Sequence, residues 1–177
     1  MGIQIGAKPD SGFDDPLGML KDCHRRIERF LHILCFVAGR ARGRGLTGEE
    51  TEAIEAALHY FSAGGRRHTA DEEESLFPRL RGQSMREEFA QLDGLERDHQ
   101  RAEELHAVIE TLYRKWIATG SLRAEDQEQI LSATEDLRRL YEQHIRLEEQ
   151  VVFPRAAAVL DRQAIAAMGQ ELRARRE

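Results

Sequence analysis

The chain has 177 residues, enough for one domain with a real core, and its 41% hydrophobic and 33% charged content excludes a disordered polymer. A net charge of −6 argues against broad nucleic-acid binding, which needs a basic footprint. The most apolar run, 30–38, is broken by His32 and is far too short to span a bilayer.

With four prolines and a dominance of Leu, Ala, Glu, Arg and Gln, the sequence reads as helical throughout. Residues 1–13 hold three glycines and no helical period, and read as a flexible lead-in. Asp15-Pro16 then has the form of an N-cap followed by proline at the first helical position. The first helix is predicted to run to about Ala38 with Leu17, Leu20, Ile27, Leu31 and Leu34 on its apolar face. Cys23 and Cys35 both fall on it, about 18 Å apart, so they cannot pair with each other. That usage suits a reducing compartment, and no charged-then-apolar leader opens the chain, so the cytoplasm is the expected location.

A glycine- and arginine-rich connection, 39–45, leads to Thr47-Gly-Glu-Glu50, whose capping-box spacing opens a second helix. Gly64-Gly65 interrupts it, at a cost of about 2 kcal/mol relative to alanine, which implies a kink, close packing or a break. Pro78 is expected to end or bend the segment. Ser84-Met-Arg-Glu87 is a second capping box for a third helix that reaches about Ala118. A turn at 119–121, with Ser121 as the expected cap, opens a fourth helix running to about Pro154. Asp161 caps a short fifth one. The basic stretches Arg40–Arg44 and Arg173–Arg176 read as solvated loop and helix-end charge. No stretch alternates like a strand. The fold class is all-α, an up-down-up-down four-helix bundle over 14–158, followed by a short helix and basic tail at 159–177.

The chain also repeats a phrase. His68, Glu72, Phe77 and Pro78 recur 76 residues later as His144, Glu148, Phe153 and Pro154. Upstream of each copy, by 44 and 45 residues, stands His-x-Arg-x-Glu: His24 to Glu28 and His99 to Glu103. A helical hairpin has been written twice, so the bundle should carry an internal pseudo-two-fold axis with the four histidines pointing inward. On a helix, i and i+4 share a face, so each His-x-x-x-Glu can offer an imidazole and a carboxylate to the same metal. Chance alone gives roughly one such pair in this composition, whereas five of the seven histidines have one. The shared Phe-Pro and the matched intervals make the pattern stronger than spacing does. His32, His59 and His106 lie two or more turns away from the repeated positions and read as core or surface residues. Glu73, Glu74 and Glu149 flank the pairs, turned around the helix, and read as a solvated face or as outer partners of the site.

Imidazoles with carboxylates and no thiolates point to iron first, then manganese or zinc. Four histidines with two or three carboxylates exceed what one tetrahedral zinc needs, and two ions bridged by Glu72 and Glu148 would use them all. The ferritin-like layout does not fit: Glu96/His99 and Glu103/His106 have its Glu-x-x-His spacing, but both lie on the third helix.

Over about residues 16–156, this combination resembles the hemerythrin family in its bacterial HHE cation-binding branch. The resemblance implies a four-helix bundle around a non-haem, oxo- or hydroxo-bridged di-iron centre. His24, His68, His99 and His144 would be terminal ligands, with Glu72 and Glu148 as bridges. Oxygen-carrying members place a second histidine where Glu103 stands here, and a bridging aspartate five residues after the helix-four histidine where this chain has a glutamate four after it. Glu103 is therefore expected as a seventh ligand, with Glu28 its counterpart by symmetry. An added anionic ligand would favour the ferric state and move the centre toward chemistry with oxygen, peroxide or nitric oxide. Family members that repair iron centres carry a further cysteine-bearing N-terminal domain, for which the thirteen-residue lead-in leaves no room. The function implied is binding or sensing of oxygen, nitric oxide or redox state. The alternatives are a redox enzyme consuming peroxide, oxygen or nitric oxide, and iron storage or delivery. The expected partners are a small diatomic ligand or peroxide, and a protein partner or second copy to read out a sensor, with neither nucleic acid nor membrane.

Overall fold

The computed structural model describes residues 10–83 and 86–177. Five helices account for nearly all of them, and no strand occurs among the described residues. Helix α1 is Pro16–Arg40. Helix α2 occupies 48–83 as α-helical Gly48–Tyr60, Arg66–Ala70 and Phe77–Gln83 with π turns at Phe61–Gly65 and Asp71–Leu76 between them. Helix α3 is Arg86–Thr119. Helix α4 spans 124–159, with a π turn at Glu148–Val152, and α5 is Arg162–Ala174.

The helix starts follow the sequence chemistry. The Asp15 carboxylate accepts from Gly18 N–H at 3.0 Å with Pro16 at the first position. Thr47 and Glu50 exchange the two bonds of a capping box. Asp161 accepts from Ala164 N–H at 2.8 Å. Ser121 does not cap α4: that helix begins at Ala124 with Arg123 in the cap position and no side-chain bond. The Ser84 capping box falls outside the described residues. Gly43 and Gly120 adopt φ of +78° and +72° in the two tight connections, a backbone region that a Cβ disfavours.

The helix continues through both Phe-Pro pairs, so Pro78 does not end its segment. In α geometry the proline ring would strike the carbonyl four residues back and leave it unbonded. Here a π turn precedes each proline, closed by Phe77 N–H on the Glu72 carbonyl and by Phe153 N–H on the Glu148 carbonyl. The widened turn makes room for the ring. Gly64-Gly65 lies in another π turn rather than at a break, and a Cβ on Gly64 would come within 2.8 Å of the Tyr60 ring.

Helix α4 packs between α1 and α3, and α2 lies against α1 and α3. The interior forms two apolar clusters. One holds Ile27, Leu34, Ile54, Phe61, Ile109, Trp116 and Ile130; the other holds Leu20, Leu76, Phe77, Leu95, Phe153, Met168 and Leu172. His24, His68, His99 and His144 each fall, along their own helix, between residues of the first cluster and residues of the second. A polar layer therefore divides the core.

Helix α5 closes the end of the bundle by burying Met168 and Leu172 in the second cluster. Arg173 of the basic tail is exposed, but Arg175 and Arg176 are not solvated charge: they fold back onto Asp71, a carboxylate with 0% exposure. A charge that deep demands paired partners. Of the lead-in, residues 10–13 are tied down by the Ser11 N–H bond to Asp22, the Asp10–Arg26 pair and Phe13 under the Arg173 guanidinium.

Candidate metal centre

Six of the seven expected ligands meet in the polar layer, all buried. Their donor atoms form two groups, His24, His68, Glu72, Glu148 and Glu72, His99, His144, Glu148, each within 4.8 Å of one another. Both glutamates belong to both groups. Each imidazole turns Nε2 inward. His24 Nε2 lies 3.1 Å from Glu148 Oε2 and 3.8 Å from Glu72 Oε1. His68 Nε2 is 3.3 Å from Glu72 Oε1, His99 Nε2 3.3 Å from Glu72 Oε2, and His144 Nε2 3.3 Å from Glu148 Oε2. Glu72 Oε1 thus faces His24 and His68, and its Oε2 faces His99.

Glu103 is not among them. Its side chain is 77% exposed and points toward Arg66, 4.0 Å away, at the mouth of a surface cleft. One turn past His99 it lies beyond the polar layer, level with the cleft. Glu28, its counterpart, is also exposed. Symmetry said both or neither, and the structure brings neither to the group.

The residues fit a metal pair. Both oxygens of Glu72 and of Glu148, with His24 Nε2, are buried without a hydrogen-bond partner among the described residues. Unpaired buried carboxylate oxygens are costly unless a cation satisfies them. His99 Nε2 and His144 Nε2 lie 3.1 Å apart, close to the spacing of two adjacent nitrogen ligands each about 2.1 Å from one ion.

Outer contacts orient the rings. His99 Nδ1 donates to Glu73 Oε1 at 2.7 Å, and His24 Nδ1 donates to Glu149 Oε1 at 2.9 Å. Such a bond fixes the tautomer and leaves the Nε2 lone pair for metal. Phe77 lies parallel to His99 with centroids 6.2 Å apart, and Phe153 parallel to His24 at 5.4 Å. The whole repeated phrase therefore has a part: histidine and glutamate to bind, the next glutamate and the phenylalanine to hold the opposite hairpin's histidine. Glu73 and Glu149 were open between a solvated face and an outer role, and the structure gives them the outer role. The sequence signal was their own recurrence within the phrase. Asp98, whose Oδ2 lies 3.5 Å from His144 Nδ1, had no such signal, since Cys23 fills its place in the first copy.

Electrostatics favour cation binding. Burial raises the Glu72 carboxyl, but His68, His24 and His99 outweigh it and hold the group well below the carboxylate range. Burial lowers His24, yet the neighbouring carboxylates of Glu148 and Glu72 push it up to about 10. His144 is likewise lowered by burial and pushed up to about 10 by Glu148 and Asp98. His68 drops to about 4 through burial.

Residues 15–156 match the hemerythrin HHE cation binding domain. The chain belongs to the hemerythrin family. It is also similar to an uncharacterized protein of Haemophilus influenzae, 27% identical over 173 residues that span 93% of this chain and 92% of that one. The hemerythrin match ends before α5, which lies outside the matched residues. The remaining histidines of this hemerythrin-like chain lie apart from the centre. His32 and His59 are exposed, and His106 bonds the Tyr141 hydroxyl at 3.2 Å, with burial lowering it to about 4. No helix among the described residues is long and apolar enough to cross a membrane.

Proposed function

We propose that this hemerythrin-like chain holds two iron ions, one at His24 and His68 and one at His99 and His144, shared by Glu72 and Glu148. Its proposed task is to bind or sense oxygen, nitric oxide or redox state. The observation that carries the reading is the pair of four-residue groups with two carboxylates in common, all four of whose oxygens are otherwise unsatisfied. Two imidazoles and two shared carboxylates give four donors per ion, which on iron or manganese, preferring six ligands, would leave two positions for a small ligand. With Glu103 turned to solvent, the set is four histidines and two carboxylates, and the anionic ligand that would have favoured the ferric state is lacking.

When bound, such a pair of ions supplies Lewis acidity and two one-electron redox steps. The chain supplies the rest. Glu73 and Glu149 hold the His99 and His24 rings in register. Phe77 and Phe153, with 0% and 1% exposure, close the centre to bulk water from the side of the second apolar cluster. A sensor of this kind would read out through a protein partner or a second copy.

One observation favours the enzyme reading as the second. A cleft of about 610 Å³ between α2 and α3 reaches His99 and Glu73, lined also by Phe61, His106 and Tyr141. A diatomic needs little more than the roughly 30 Å³ share of one water, so the cleft has room for a larger peroxide. Metal analysis of anaerobically purified protein tests the main reading, with two irons per chain expected and loss of iron in His68→Ala and His144→Ala. An absorption spectrum that changes with oxygen or nitric oxide and reverses on removal supports binding. Rapid peroxide turnover would select the enzyme, and ready transfer of iron to an apo-acceptor would select delivery. A folded chain that takes up no transition metal overturns all three.

A further inference from the structure

We infer that α5 is a clamp on the metal centre: Arg175 and Arg176 hold buried Asp71 and thereby fix the π turn that presents Glu72. This rests on the metal reading above. Asp71 immediately precedes Glu72 in the turn Asp71–Leu76. Its Oδ1 accepts from Arg175 Nη1 at 3.0 Å and Arg176 Nη1 at 3.3 Å, and its Oδ2 from Arg176 Nη2 at 2.6 Å. Arg175 also donates to Ser75 Oγ at 2.9 Å and to Glu74 Oε2 at 3.2 Å. A second fork runs the other way, from Arg79 to both oxygens of Glu171 on α5 at 2.7 and 2.9 Å. The same Arg79 donates to the Ser75 carbonyl at 2.7 Å. Three residues within one turn and a half, Asp71, Glu74 and Ser75, are thus gripped from outside.

The second copy of the repeat has different residues at the three gripped positions. Where Asp71, Glu74 and Ser75 stand in the first π turn, the second has Leu147, Gln150 and Val151, and Gln150 and Val151 are exposed. Both turns lie within the matched 15–156, whereas the lock on the first comes from residues beyond it. Because Glu72 belongs to both ligand groups, a lock on one turn acts on both ions. The physical cause is direct. Asp71 at 0% exposure is tolerated only while its charge is matched. Without the guanidinium groups the turn must move outward to hydrate it, and Glu72 moves with it. Docking of α5 has its own requirement at Gly169, where a Cβ would lie 2.0 Å from the Phe13 carbonyl oxygen.

The test compares the full chain with Arg175→Gln/Arg176→Gln, and with Gly169→Val, whose side chain would drive α5 and the Phe13 backbone apart while leaving every arginine in place. Each is loaded anaerobically with ferrous iron alone and challenged with a ferrous chelator. Amide exchange is followed in the metal-free forms. The expected result is iron loss at least about tenfold faster in both variants, the lower bound for removing an outer support, with exchange accelerated at 71–77 but not at 148–153. Unchanged release in both variants overturns the clamp. So does exchange that accelerates equally in both turns, since α5 would then be stabilising the whole bundle. A parent chain that takes up no iron overturns the metal reading instead, and is recognised before any variant is compared.

Discussion

His99 and Glu73 meet across the interface of α3 and α2, Nδ1 to Oε1 at 2.7 Å, and the pair is copied by His24 and Glu149 across α1 and α4 at 2.9 Å. Each metal-binding hairpin thus orients a histidine of the other. A ligand ring held this way loses rotational freedom before the metal arrives, so less is lost on binding. Replacing Glu73 or Glu149 by Gln keeps a hydrogen-bond acceptor but removes the charge. Each substitution is expected to weaken metal binding by about 10- to 100-fold with unchanged helix content. Competition titration against a chelator of known affinity reads this directly, and affinities equal to the parent's would mean the rings are fixed by packing alone.

Glu103 gives the opposite expectation. Its exposed carboxylate lies outside both ligand groups, so Glu103→Ala should retain the parent's metal content and stability within about 0.5 kcal/mol, as for ordinary surface changes. Glu72→Ala and Glu148→Ala should each lose both ions rather than one, because both groups share them. Loss of metal in Glu103→Ala, or retention of one ion in Glu72→Ala, measured by mass spectrometry under native conditions, would refute the assignment.

How much of this could be read from the sequence follows from which signals are local and repeated. His24, His68, Glu72, His99, His144 and Glu148 were legible because helical spacing puts them on one face and duplication gives each a double. Glu103 shared the spacing and the duplication, yet lies outside. A position one turn along a helix fixes which face a residue is on, but not whether the layer it reaches is still the polar one. The passage through Pro78 was hidden because a π turn is set by backbone bonds such as that from Phe77 N–H to the Glu72 carbonyl, which no side chain announces. The Arg176–Asp71 pair joins positions 105 residues apart, and neither residue is distinctive in a chain so rich in charge.

The protonation of the empty centre predicts how metal uptake depends on pH. In the metal-free fold burial lowers His24 and His144, but their carboxylate neighbours push both up to about 10, against about 6.5 in an unfolded chain. Pairs with raised values stabilise the fold fully below the unfolded value, and that contribution fades as pH rises through the folded one. A metal ion competes for the same nitrogens. Uptake at pH 7.5 should therefore expel the protons of both histidines, and apparent affinity should climb with pH. His68, lowered to about 4 by burial, is already neutral and contributes none. Calorimetry in buffers of different ionisation heat counts the protons, and a count of zero would show that the centre is empty of protons before metal enters.

The two phenylalanines separate packing from ring support. Phe77 and Phe153 are fully buried and lie flat against His99 and His24, with ring planes 5° and 12° apart. Truncation to alanine would open a cavity and cost about 3–5 kcal/mol, which by itself says nothing of the metal. Leucine is the informative substitution. It retains most of the apolar volume, so the loss of stability should stay within about 1.5 kcal/mol, but it removes the flat face on which the imidazole rests. Phe153→Leu is then expected to release metal faster while unfolding at nearly the parent's denaturant midpoint. The effect should be larger than for Phe77→Leu, because the His24 centroid lies closer to its ring, 5.4 Å against 6.2 Å. Equal release rates for parent and both leucine variants would reduce the repeated phenylalanines to core filling.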